Sequence, residues 1–464
     1  MTVDVGPEVV GSSPGRAVTP PCADGKPRRR VLIVTSSYAP AMIADMHRAR
    51  HLAWELPAFG WAVDILAPSA SLQAPSYLDH DSSEFFAETA GIAFAGEGLD
   101  AAMRWMGVRS AGWRSFAGML FRGARLLRER RHDLVYISTT SFQLFALGPL
   151  WRQWCGTPYV LDVHDPIYKT EAGSSALAKD GLKQQLSRAF MKHVESYSVT
   201  GASGIVSVSP VYLENFRQRY GRASPKWEGT GSTAVVPFSV LPHDFEIASR
   251  SMERVGATAP KARIAYVGAG GPIMRRAFAL FCDALAAVVQ RNPGFAQAVQ
   301  IELYGTRFGW RQGDRCDLAE IAREKGVGEL VSELPARVTY RRSLELLLSS
   351  DGALILGVDD RGYMPSKLYA YGYSGKPLLA VVRRDGPAAA ALENLPELGR
   401  ALWFEESGQM GLAQAVETLE AFLRDVAARR TVDRQLALQP FLASQMAQLH
   451  AELFERVLAL RPRA

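Results

Sequence analysis

Short apolar segments alternate with amphipathic segments along most of the chain. In the first part, a β-branched run at residues 31–35 precedes a helical pattern, and a second apolar run follows at residues 61–66. An apolar strand, a helix and another apolar strand at this spacing predict a βαβ unit and hence a parallel sheet. Apolar runs of the same kind continue the series at residues 133–138, 158–165, 204–209 and 233–238.

A second series begins after a polar and charged stretch at residues 246–262. Its first predicted strand, residues 263–270, ends in glycines and opens into a helical pattern. Further strands are predicted at residues 299–305, 337–342, 352–357 and 377–382. The end of the chain shows the periodicity of an amphipathic helix.

Two successive parallel series joined by one polar connector predict an α/β fold of two Rossmann-like domains. A chain of 464 residues, of which 48% are hydrophobic, is too long for one ordinary core, which favours the same division. The predicted parts are a disordered tail rich in Gly, Pro and Ser at residues 1–27, a first domain at 28–245 and a connector at 246–262. A second domain at 263–430 and a C-terminal helical segment at 431–464 follow.

The composition narrows the choice of partners and compartment. The net charge of +6 favours anionic partners such as nucleotide phosphates, anionic lipid or nucleic acid, without choosing among them. The four cysteines form no CxxC pair, which is typical of thiols in a reducing compartment. The first residues lack the apolar region of a secretory signal, and no apolar run reaches the roughly 18–20 residues of a spanning helix. We therefore expect a cytoplasmic protein that can still touch a membrane surface.

The glycines at the start of the second series mark a candidate phosphate site. Backbone N–H groups and the helix dipole at the carboxyl end of a parallel strand point towards a bound anion. Two arginines after the glycines can add charge-assisted bonds to a diphosphate. The residues concerned are Gly268, Gly270, Gly271, Arg275 and Arg276. A tight turn followed by two solvated arginines explains the segment equally well, because neither a GxGxxG nor a Walker motif is complete.

A second candidate lies at residues 362–379, which read GYMPSKLYAYGYSGKPLL. Pro365 and Ser366 suit a helix start, because proline fixes φ and a serine hydroxyl can cap free N–H groups. Lys367 falls in the first predicted turn, where a cation is unfavourable beside the positive end of the dipole. A bound anion would explain that lysine, and so would a solvent-facing position on an amphipathic helix.

This segment resembles the PSK-x-x-E-Y-x-x-x-GKP signature of glycosyltransferase family 4, whose members have the GT-B fold of two Rossmann-like domains facing across a cleft. Four more segments resemble elements of that family in the same order. The first, residues 36–68, is an aromatic-Pro turn with a basic helix and a GW-x-V strand, and the second, residues 159–166, is an HD element. The third, residues 204–221, is a strand with its following helix, and the fourth, residues 235–245, is a VVPF segment. The resemblance extends from Arg28 to the mid-380s.

The resemblance implies transfer of a sugar from a nucleotide-diphospho-sugar, normally with retention of configuration and without a metal or other cofactor. The donor would bind mainly to the second domain, and a glycan or lipid-linked acceptor to the first. The glycine segment would line the diphosphate, with Arg275 or Arg276 and Lys367 neutralising it. His164 and Asp165 would form the catalytic HD element, in which His164 contacts the donor sugar or the diphosphate. A histidine that only caps the strand end is the alternative for His164.

The chain departs from the family pattern at two places. Ala370 stands where the family has a glutamate that binds the ribose hydroxyls, so we expect weaker donor binding. The candidates to replace that glutamate are Tyr369, Tyr371, Asp359 and Asp360. Tyr369 and Tyr371 are therefore included among the predicted donor-binding residues, together with Ser366 of the PSK segment. The Asn-Gly of the family's VVPF-like segment is replaced by Phe238 and Ser239.

A basic amphipathic pattern covers residues 105–131. Apolar residues fall on one face of the predicted helix, arginines mostly on the other, and tryptophans precede it. Such a helix suits an anionic membrane surface. A helix that covers the sheet and exposes a solvated basic face is at least as good an interpretation.

The sequence thus predicts a GT-B glycosyltransferase that takes part in cell-surface polysaccharide assembly. Two alternatives stay open: a sugar-nucleotide epimerase, and a non-catalytic GT-B scaffold that partners an active transferase, which Ala370 favours. His47 and His51 have the spacing of metal ligands, but no third ligand is evident. No nucleic-acid-binding signature is present, so we predict neither a metal nor a nucleic-acid partner.

Overall fold

The computed structural model describes residues 29–460, apart from residues 89, 97, 99, 107, 109, 168–181, 253–259, 308 and 310–314. The predicted tail, residues 1–27, and the middle of the predicted connector lie outside the described residues. The remainder forms two parallel sheets covered by helices, so the predicted α/β fold is confirmed.

The strands of the first sheet are β1 Arg29–Val34, β2 Trp61–Pro68, β3 Gly91–Ala95, β4 Leu134–Ser138, β5 Tyr159–Val163, β6 Gly204–Ser207 and β7 Thr233–Val235. They are parallel and lie in the order β3-β2-β1-β4-β5-β6-β7. Every residue of β4 and β5 is buried, because helices cover both faces of the sheet. The strand order changes direction between β1 and β4.

The strands of the second sheet are β8 Ala262–Val267, β9 Val299–Tyr304, β10 Val331–Leu334, β11 Gly352–Leu356, β12 Leu378–Arg383 and β13 Arg400–Phe404. They are also parallel, in the order β10-β9-β8-β11-β12-β13. Here the strand order changes direction between β8 and β11. In parallel α/β sheets, such a change opens a crevice at the carboxyl ends of the two strands.

The helices of the first half are α1 Met46–Glu55, α2 Asp100–Trp105, α3 Ala111–Arg130, α4 Leu147–Cys155, α5 Leu182–Gly201, α6 Pro210–Tyr220 and α7 Pro242–Met252. Those of the second half are α8 Arg275–Arg291, α9 Gly294–Ala298, α10 Asp317–Glu324, α11 Tyr340–Ser349, α12 Leu368–Tyr373, α13 Pro387–Asn394, α14 Leu412–Ala427, α15 Gln435–Leu438 and α16 Ala443–Ala459. The helix α14 shows why these segments form: Ala415, Leu419 and Leu423 recur every four residues and are buried together.

The C-terminal helix α16 packs on the first domain, although it follows the second domain in the chain. Phe454 meets the ring of Trp61 edge-on, with centroids 5.3 Å apart. The imidazole Nε2 of His450 lies 2.8 Å from the hydroxyl of Tyr136 in β4. The last segment of the chain therefore completes the core around the first sheet.

The strand predicted at residues 337–342 is wrong. The strand β10 ends at Leu334, and α11 begins at Tyr340. Thr339 is the N-cap of that helix, and its side chain accepts a hydrogen bond from the N–H of Arg342 at 3.2 Å. Leu344 and Leu347 are buried at helical spacing, so the segment that was predicted as a strand is the start of a helix.

Candidate active site

The carboxyl ends of the two sheets face each other, and loops of the two domains touch there. Arg337, in the loop after β10, donates a hydrogen bond to the carbonyl of Met42, in the loop after β1. The N–H of Tyr340 donates to the carboxylate of Asp79 at 2.9 Å. Open α/β sheets bind their ligands at this edge, so the candidate site lies between the two crevices.

Lys367 is held at the end of β8. It occupies the N-cap position of α12 without a side-chain capping bond, so it does not lie in the first turn as predicted. Its Nζ donates to the carbonyl of Val267, the last residue of β8. Burial, together with the positive charge of Arg337, lowers the pKa of Lys367 to about 8. A cation is thus available at the crevice of the second sheet.

Gly268 makes room for that amine. A Cβ atom on residue 268 would collide with Lys367 Nζ. The N–H of Gly268 donates to the carbonyl of Tyr304 at 2.9 Å, and the N–H of Gly270 donates to the carbonyl of Thr306 at 3.0 Å. These two predicted phosphate donors are therefore bonded to backbone in this conformation. Gly271 adopts a positive φ of 41°, which favours glycine at the entry to the turn before α8.

The two predicted arginines take different directions. Arg276 donates to the carboxylate of Asp359 at 2.7 Å and to the carbonyl of Gly408 at 3.2 Å. Its guanidinium carbon also lies 5.0 Å from the ring centroid of Phe404, at the end of β13. Arg275, the first residue of α8, is exposed. Arg276 is thus engaged within the second domain, and Arg275 is the arginine of the pair that faces solvent.

Of the other donor-binding residues predicted near Lys367, the structure places some beside the lysine and others away from it. The Tyr371 hydroxyl donates to the carbonyl of Val267 at 2.9 Å, so Tyr371 lies at the end of β8 with the lysine. The ring of Tyr369 stacks instead on Phe441, with centroids 3.8 Å apart. Ser366 is half-buried and does not cap α12. The structure therefore brings Tyr371 to Lys367 and turns Tyr369 towards the C-terminal segment.

The two aspartates considered as replacements for the missing glutamate have partners inside the protein. Asp359 accepts from Arg276 and, at 2.5 Å, from Arg383. Asp360 accepts from the N–H of Gly362 at 2.8 Å. Both carboxylates therefore shape the loop after β11.

His164 follows β5 at the carboxyl end of the first sheet. Its side chain is only 2% exposed, and its Nε2 lies 2.6 Å from Oδ2 of Asp162. Phe238, one of the two residues that replace the family's Asn-Gly, meets the imidazole edge-on at 5.2 Å between centroids. The imidazole is thus fixed between a carboxylate and an aromatic ring.

The charge of Asp165 acts on two tyrosines, Tyr363 in the second domain and Tyr212 in the first. Burial, with a further contribution from the charge of Asp165, raises the pKa of the Tyr363 hydroxyl. The pKa of Tyr212 is raised by burial and by the charges of Asp360 and Asp165. Tyr363 precedes Lys367 by four residues, so the charge of Asp165 reaches the segment of the second domain that carries Lys367.

Asp244, on α7, joins the two domains. It receives two hydrogen bonds from Arg50 of α1, at 2.7 and 2.5 Å, and one from the Tyr340 hydroxyl of α11, at 2.6 Å. Burial alone would raise the pKa of Asp244, but Arg50 outweighs burial and holds that pKa well below its usual range. Burial also lowers the pKa of the neighbouring His51 to about 4. The ion pair is almost inaccessible to water, with side-chain exposures of 0% and 2%.

Sequence reasoning missed several residues that shape this site, namely Ser138, Asp162, Asp244 and Arg337. The partners of Arg337 and Asp244 are far away in the chain, so no local motif marks them. Asp162 had a usable signal, because it precedes His164 by two positions and alternate strand residues point to the same side.

Among the described residues, no group of three or more His, Cys, Asp or Glu side chains could hold a metal ion. None of the helices in the described ranges is long and apolar enough to cross a membrane.

Comparisons with known proteins agree with this architecture. Residues 47–227 match the family described as glycosyl transferase 4-like domain. No curated protein sequence is significantly similar to the chain. The predicted GT-B fold is confirmed by the likeness to solved structures, and the family match lies within the first domain, where the predicted resemblance also begins.

Three solved structures illustrate the similarity of fold. Sucrose-phosphate synthase from Thermosynechococcus elongatus has a TM-score of 0.60 at 15% identity, over 94% of this chain and 100% of that one. HepE of Anabaena, in complex with UDP-glucose, has a TM-score of 0.59 at 15% identity, over 92% and 99%. A UDP-forming α,α-trehalose-phosphate synthase from Burkholderia xenovorans has a TM-score of 0.56 at 12% identity, over 92% and 99%.

Proposed function

We propose that the protein transfers a sugar from a nucleotide-diphospho-sugar to a glycan or lipid-linked acceptor, with retention of configuration and without a metal ion or other cofactor. The observation that carries the proposal is the position of Lys367 at the end of β8, at the crevice of the second sheet, while the HD element follows β5 at the carboxyl end of the first sheet. A cation on one wall of a cleft and an imidazole on the other suit a ligand with a diphosphate at one end and a sugar at the other.

The nucleoside diphosphate is proposed to bind the second domain. HepE is in complex with UDP-glucose, and the Burkholderia enzyme is UDP-forming, which supports a uridine diphospho-sugar as the first donor to test. Ala370 offers no carboxylate to the ribose, so we expect the binding energy to depend mainly on the diphosphate. Lys367, Tyr371 and the exposed Arg275 are the side chains proposed to receive it.

The proposed chemistry is a front-face displacement. The bond between the anomeric carbon and the diphosphate oxygen breaks while Lys367 stabilises the charge on the leaving group. The acceptor hydroxyl attacks from the same face and passes its proton to the departing diphosphate oxygen. The new glycosidic bond therefore keeps the configuration of the bond that was broken. In this scheme the ammonium group of Lys367 and the guanidinium of Arg275 supply the positive potential that a metal ion supplies elsewhere.

The proposed setting is the cytoplasm, where nucleotide sugars are made available for the assembly of cell-surface polysaccharide, with no part for nucleic acid. Because Ala370 lacks the ribose-binding carboxylate, it supports one alternative, a non-catalytic GT-B scaffold that partners an active transferase. An epimerase is less well supported, because His51 lies beside the buried Arg50–Asp244 ion pair of the first domain.

Titration calorimetry with UDP, GDP and ADP tests the donor half of the proposal. We expect one of them to bind and its nucleoside to bind far more weakly, since the diphosphate supplies most of the contact. Its affinity should be the same in EDTA as in Mg²⁺. Absence of binding by every diphosphate would contradict the proposal, and binding that is abolished by EDTA would contradict its metal independence.

Peripheral membrane binding is proposed for a basic aromatic surface on the first domain. Trp105 is 90% exposed, and Phe121 is 67% exposed and stacks on Trp154 at 6.4 Å between centroids. Three exposed arginines lie on α3, the helix that carries Phe121: Arg122, Arg125 and Arg128. Exposed aromatic rings beside arginines suit an anionic bilayer surface.

The apolar face of α3 covers the sheet. Leu126 and Leu127 are buried, so the regular apolar face of α3 meets the domain core. Arg114 is also buried and forms an ion pair with Asp100, so it does not belong to the solvated basic face as its position in the pattern suggested. A test of membrane binding must therefore leave Arg114 unchanged.

Replacing Arg122 and Arg128 together by glutamate should weaken binding to anionic vesicles by about 2 kcal/mol or more, a factor of about 30, because each arginine near such a surface contributes about 1 kcal/mol. Sedimentation with phosphatidylserine-containing vesicles measures the effect. The double variant Arg222→Glu/Arg250→Glu changes the net charge equally at exposed positions outside α3 and serves as the control. Equal sedimentation of the wild-type protein with neutral and anionic vesicles would refute membrane binding by this surface.

A further inference from the structure

Four buried polar side chains form a network at the carboxyl ends of β4 and β5. Oδ2 of Asp162 lies 2.6 Å from His164 Nε2, and the Ser138 hydroxyl donates to the same oxygen at 2.7 Å. The guanidinium Nε of Arg48, on α1, lies 3.1 Å from it. Arg48 and Asp162 are both 0% exposed. One carboxylate oxygen thus accepts from a hydroxyl, contacts an imidazole nitrogen and forms an ion pair with a guanidinium, and the Ser138 hydroxyl also lies 3.3 Å from His164 Nε2.

The carboxylate of Asp162 is ionised at neutral pH. Burial alone would raise the pKa of Asp162, but the charge of Arg48, with the hydrogen bond from His164, outweighs it and holds that pKa well below its usual range. An ionised carboxylate only accepts hydrogen bonds. The proton in the 2.6 Å contact must therefore belong to Nε2 of His164.

Charge balance favours a neutral imidazole. Arg48 already neutralises Asp162, and a second cation in the same buried network would have no counter-ion of its own there. The other titratable groups around the network are Tyr136 and His450, and burial lowers the pKa of His450 to about 4. Asp165, the adjacent residue, is half-buried at the Tyr363 side of the cleft. A neutral His164 with its proton on Nε2 leaves Nδ1 with a free lone pair.

Nδ1 of His164 is buried and has no hydrogen-bond partner among the described residues. A lone pair on this nitrogen needs a group that donates a proton. A sugar hydroxyl can donate, whereas an ionised diphosphate only accepts. The two roles that the sequence left open for His164, contact with the sugar or contact with the diphosphate, therefore require different protonation of Nδ1.

We propose that Asp162 is a positioning residue which, paired with Arg48 and oriented by Ser138, fixes His164 in the Nε2–H tautomer, so that Nδ1 accepts a hydrogen bond from a hydroxyl of the sugar. This inference rests on the proposed function for the identity of the ligand, but the tautomer itself does not depend on it. Asp162 does not touch the substrate in this account; it acts through the imidazole.

A second buried histidine, His450, serves as a control because its neutral tautomer is expected to be the opposite one. Nδ1 of His450 lies 2.7 Å from the carbonyl oxygen of Met446, which can only accept, so His450 must carry its proton on Nδ1. Its Nε2 then accepts from the Tyr136 hydroxyl at 2.8 Å. Two buried histidines of the same chain should therefore show opposite neutral tautomers.

Nitrogen-15 NMR of histidine side chains in the full-length protein reads both tautomers directly. The resonances are assigned by their loss in His164→Gln and His450→Gln. At pH 7 we expect the protonated nitrogen of His164 to be Nε2 and that of His450 to be Nδ1. Two protonated nitrogens on His164, or protonation of Nδ1 alone, would overturn the proposal whether or not the protein transfers sugar.

Asp162→Asn supplies the functional arm. The asparagine amide can donate to Nε2, which should move the His164 proton to Nδ1. If the variant folds, we expect kcat for sugar transfer to fall about 10- to 100-fold, the loss of one well-placed hydrogen bond, while the Kd for the nucleoside diphosphate stays unchanged. Ser138→Ala, which leaves the Arg48–Asp162 pair intact, should give a smaller loss of the same kind if Asp162→Asn does not fold. A fall in diphosphate affinity equal to the fall in kcat, in either variant, would assign the network a merely structural role.

Discussion

Replacement of Asp244 by alanine is expected to lower the free energy of unfolding by about 3–5 kcal/mol, because it leaves the buried guanidinium of Arg50 without its counter-ion. The same change removes the acceptor for the Tyr340 hydroxyl, so a helix of the first domain and a helix of the second domain lose their common partner. Urea unfolding followed by circular dichroism measures the loss.

A surface ion pair provides the comparison for that measurement. Arg125 and Glu129 are both well exposed on α3, with side-chain exposures of 67% and 50%. Glu129→Ala should cost about 0.5 kcal/mol or less, as exposed pairs of this spacing do. An Asp244→Ala variant that is no less stable than Glu129→Ala would show that Asp244 does not hold α1 and α11 together as described.

Replacement of Lys367 by methionine is expected to weaken binding of the nucleoside diphosphate by about 1.5–3 kcal/mol, or roughly 10- to 150-fold in Kd, the contribution of a charge-assisted hydrogen bond. Affinity for the bare nucleoside should hardly change, because the amine is placed for the diphosphate. Lys325→Met, which removes a lysine paired with Asp283 elsewhere in the second domain, is the control. Equal losses for diphosphate and nucleoside would show that Lys367 only supports the fold.

Because Lys367 binds the diphosphate through its charge, the affinity for the diphosphate should also depend on pH. Since burial and Arg337 lower its pKa to about 8, the amine loses its charge as the pH rises through that value. Diphosphate affinity of the wild-type protein should therefore fall between about pH 7 and pH 9, and Lys367→Met should not show this fall.

The variant Gly268→Ala keeps the Lys367 amine but moves it away from the end of β8, so it tests whether the position of the amine matters. The added methyl group would displace the flexible end of the Lys367 side chain, while the backbone around it can stay in place. We expect a loss of diphosphate affinity similar to that of Lys367→Met with little change in Tm. An unchanged affinity would show that the contact between the lysine and the end of β8 is not needed for binding.

The alternation of strands and helices could be predicted because each buried strand is a short apolar run between polar segments. Where that pattern was weak, the prediction failed: the edge strand β3 and the strands β10 and β13 were not anticipated, and the start of α11 was taken for a strand. Thr339 is the feature that decides the last case, and a single capping residue is a weak signal beside several β-branched and aromatic neighbours.

The candidate site could be predicted only as far as local motifs extend. The glycine segment and Lys367 follow strand ends, and the structure brings them together at β8. The directions of Arg276 and Tyr369 could not be predicted, because their partners, Asp359 and Phe441, are brought to them by the tertiary fold. The network around His164 likewise depends on α1, which precedes it by more than a hundred residues.

The central claim is that this cleft breaks the bond between a sugar and a nucleoside diphosphate. Incubation of the purified protein with a panel of radiolabelled nucleotide sugars, in EDTA and with a mixture of glycan and lipid-linked acceptors, measures it most directly. The account predicts that one donor releases its sugar, that transfer to acceptor exceeds hydrolysis, and that Lys367→Met and His164→Gln abolish both while Lys325→Met does not. No sugar release from any donor by the folded protein would contradict the account and favour a non-catalytic scaffold.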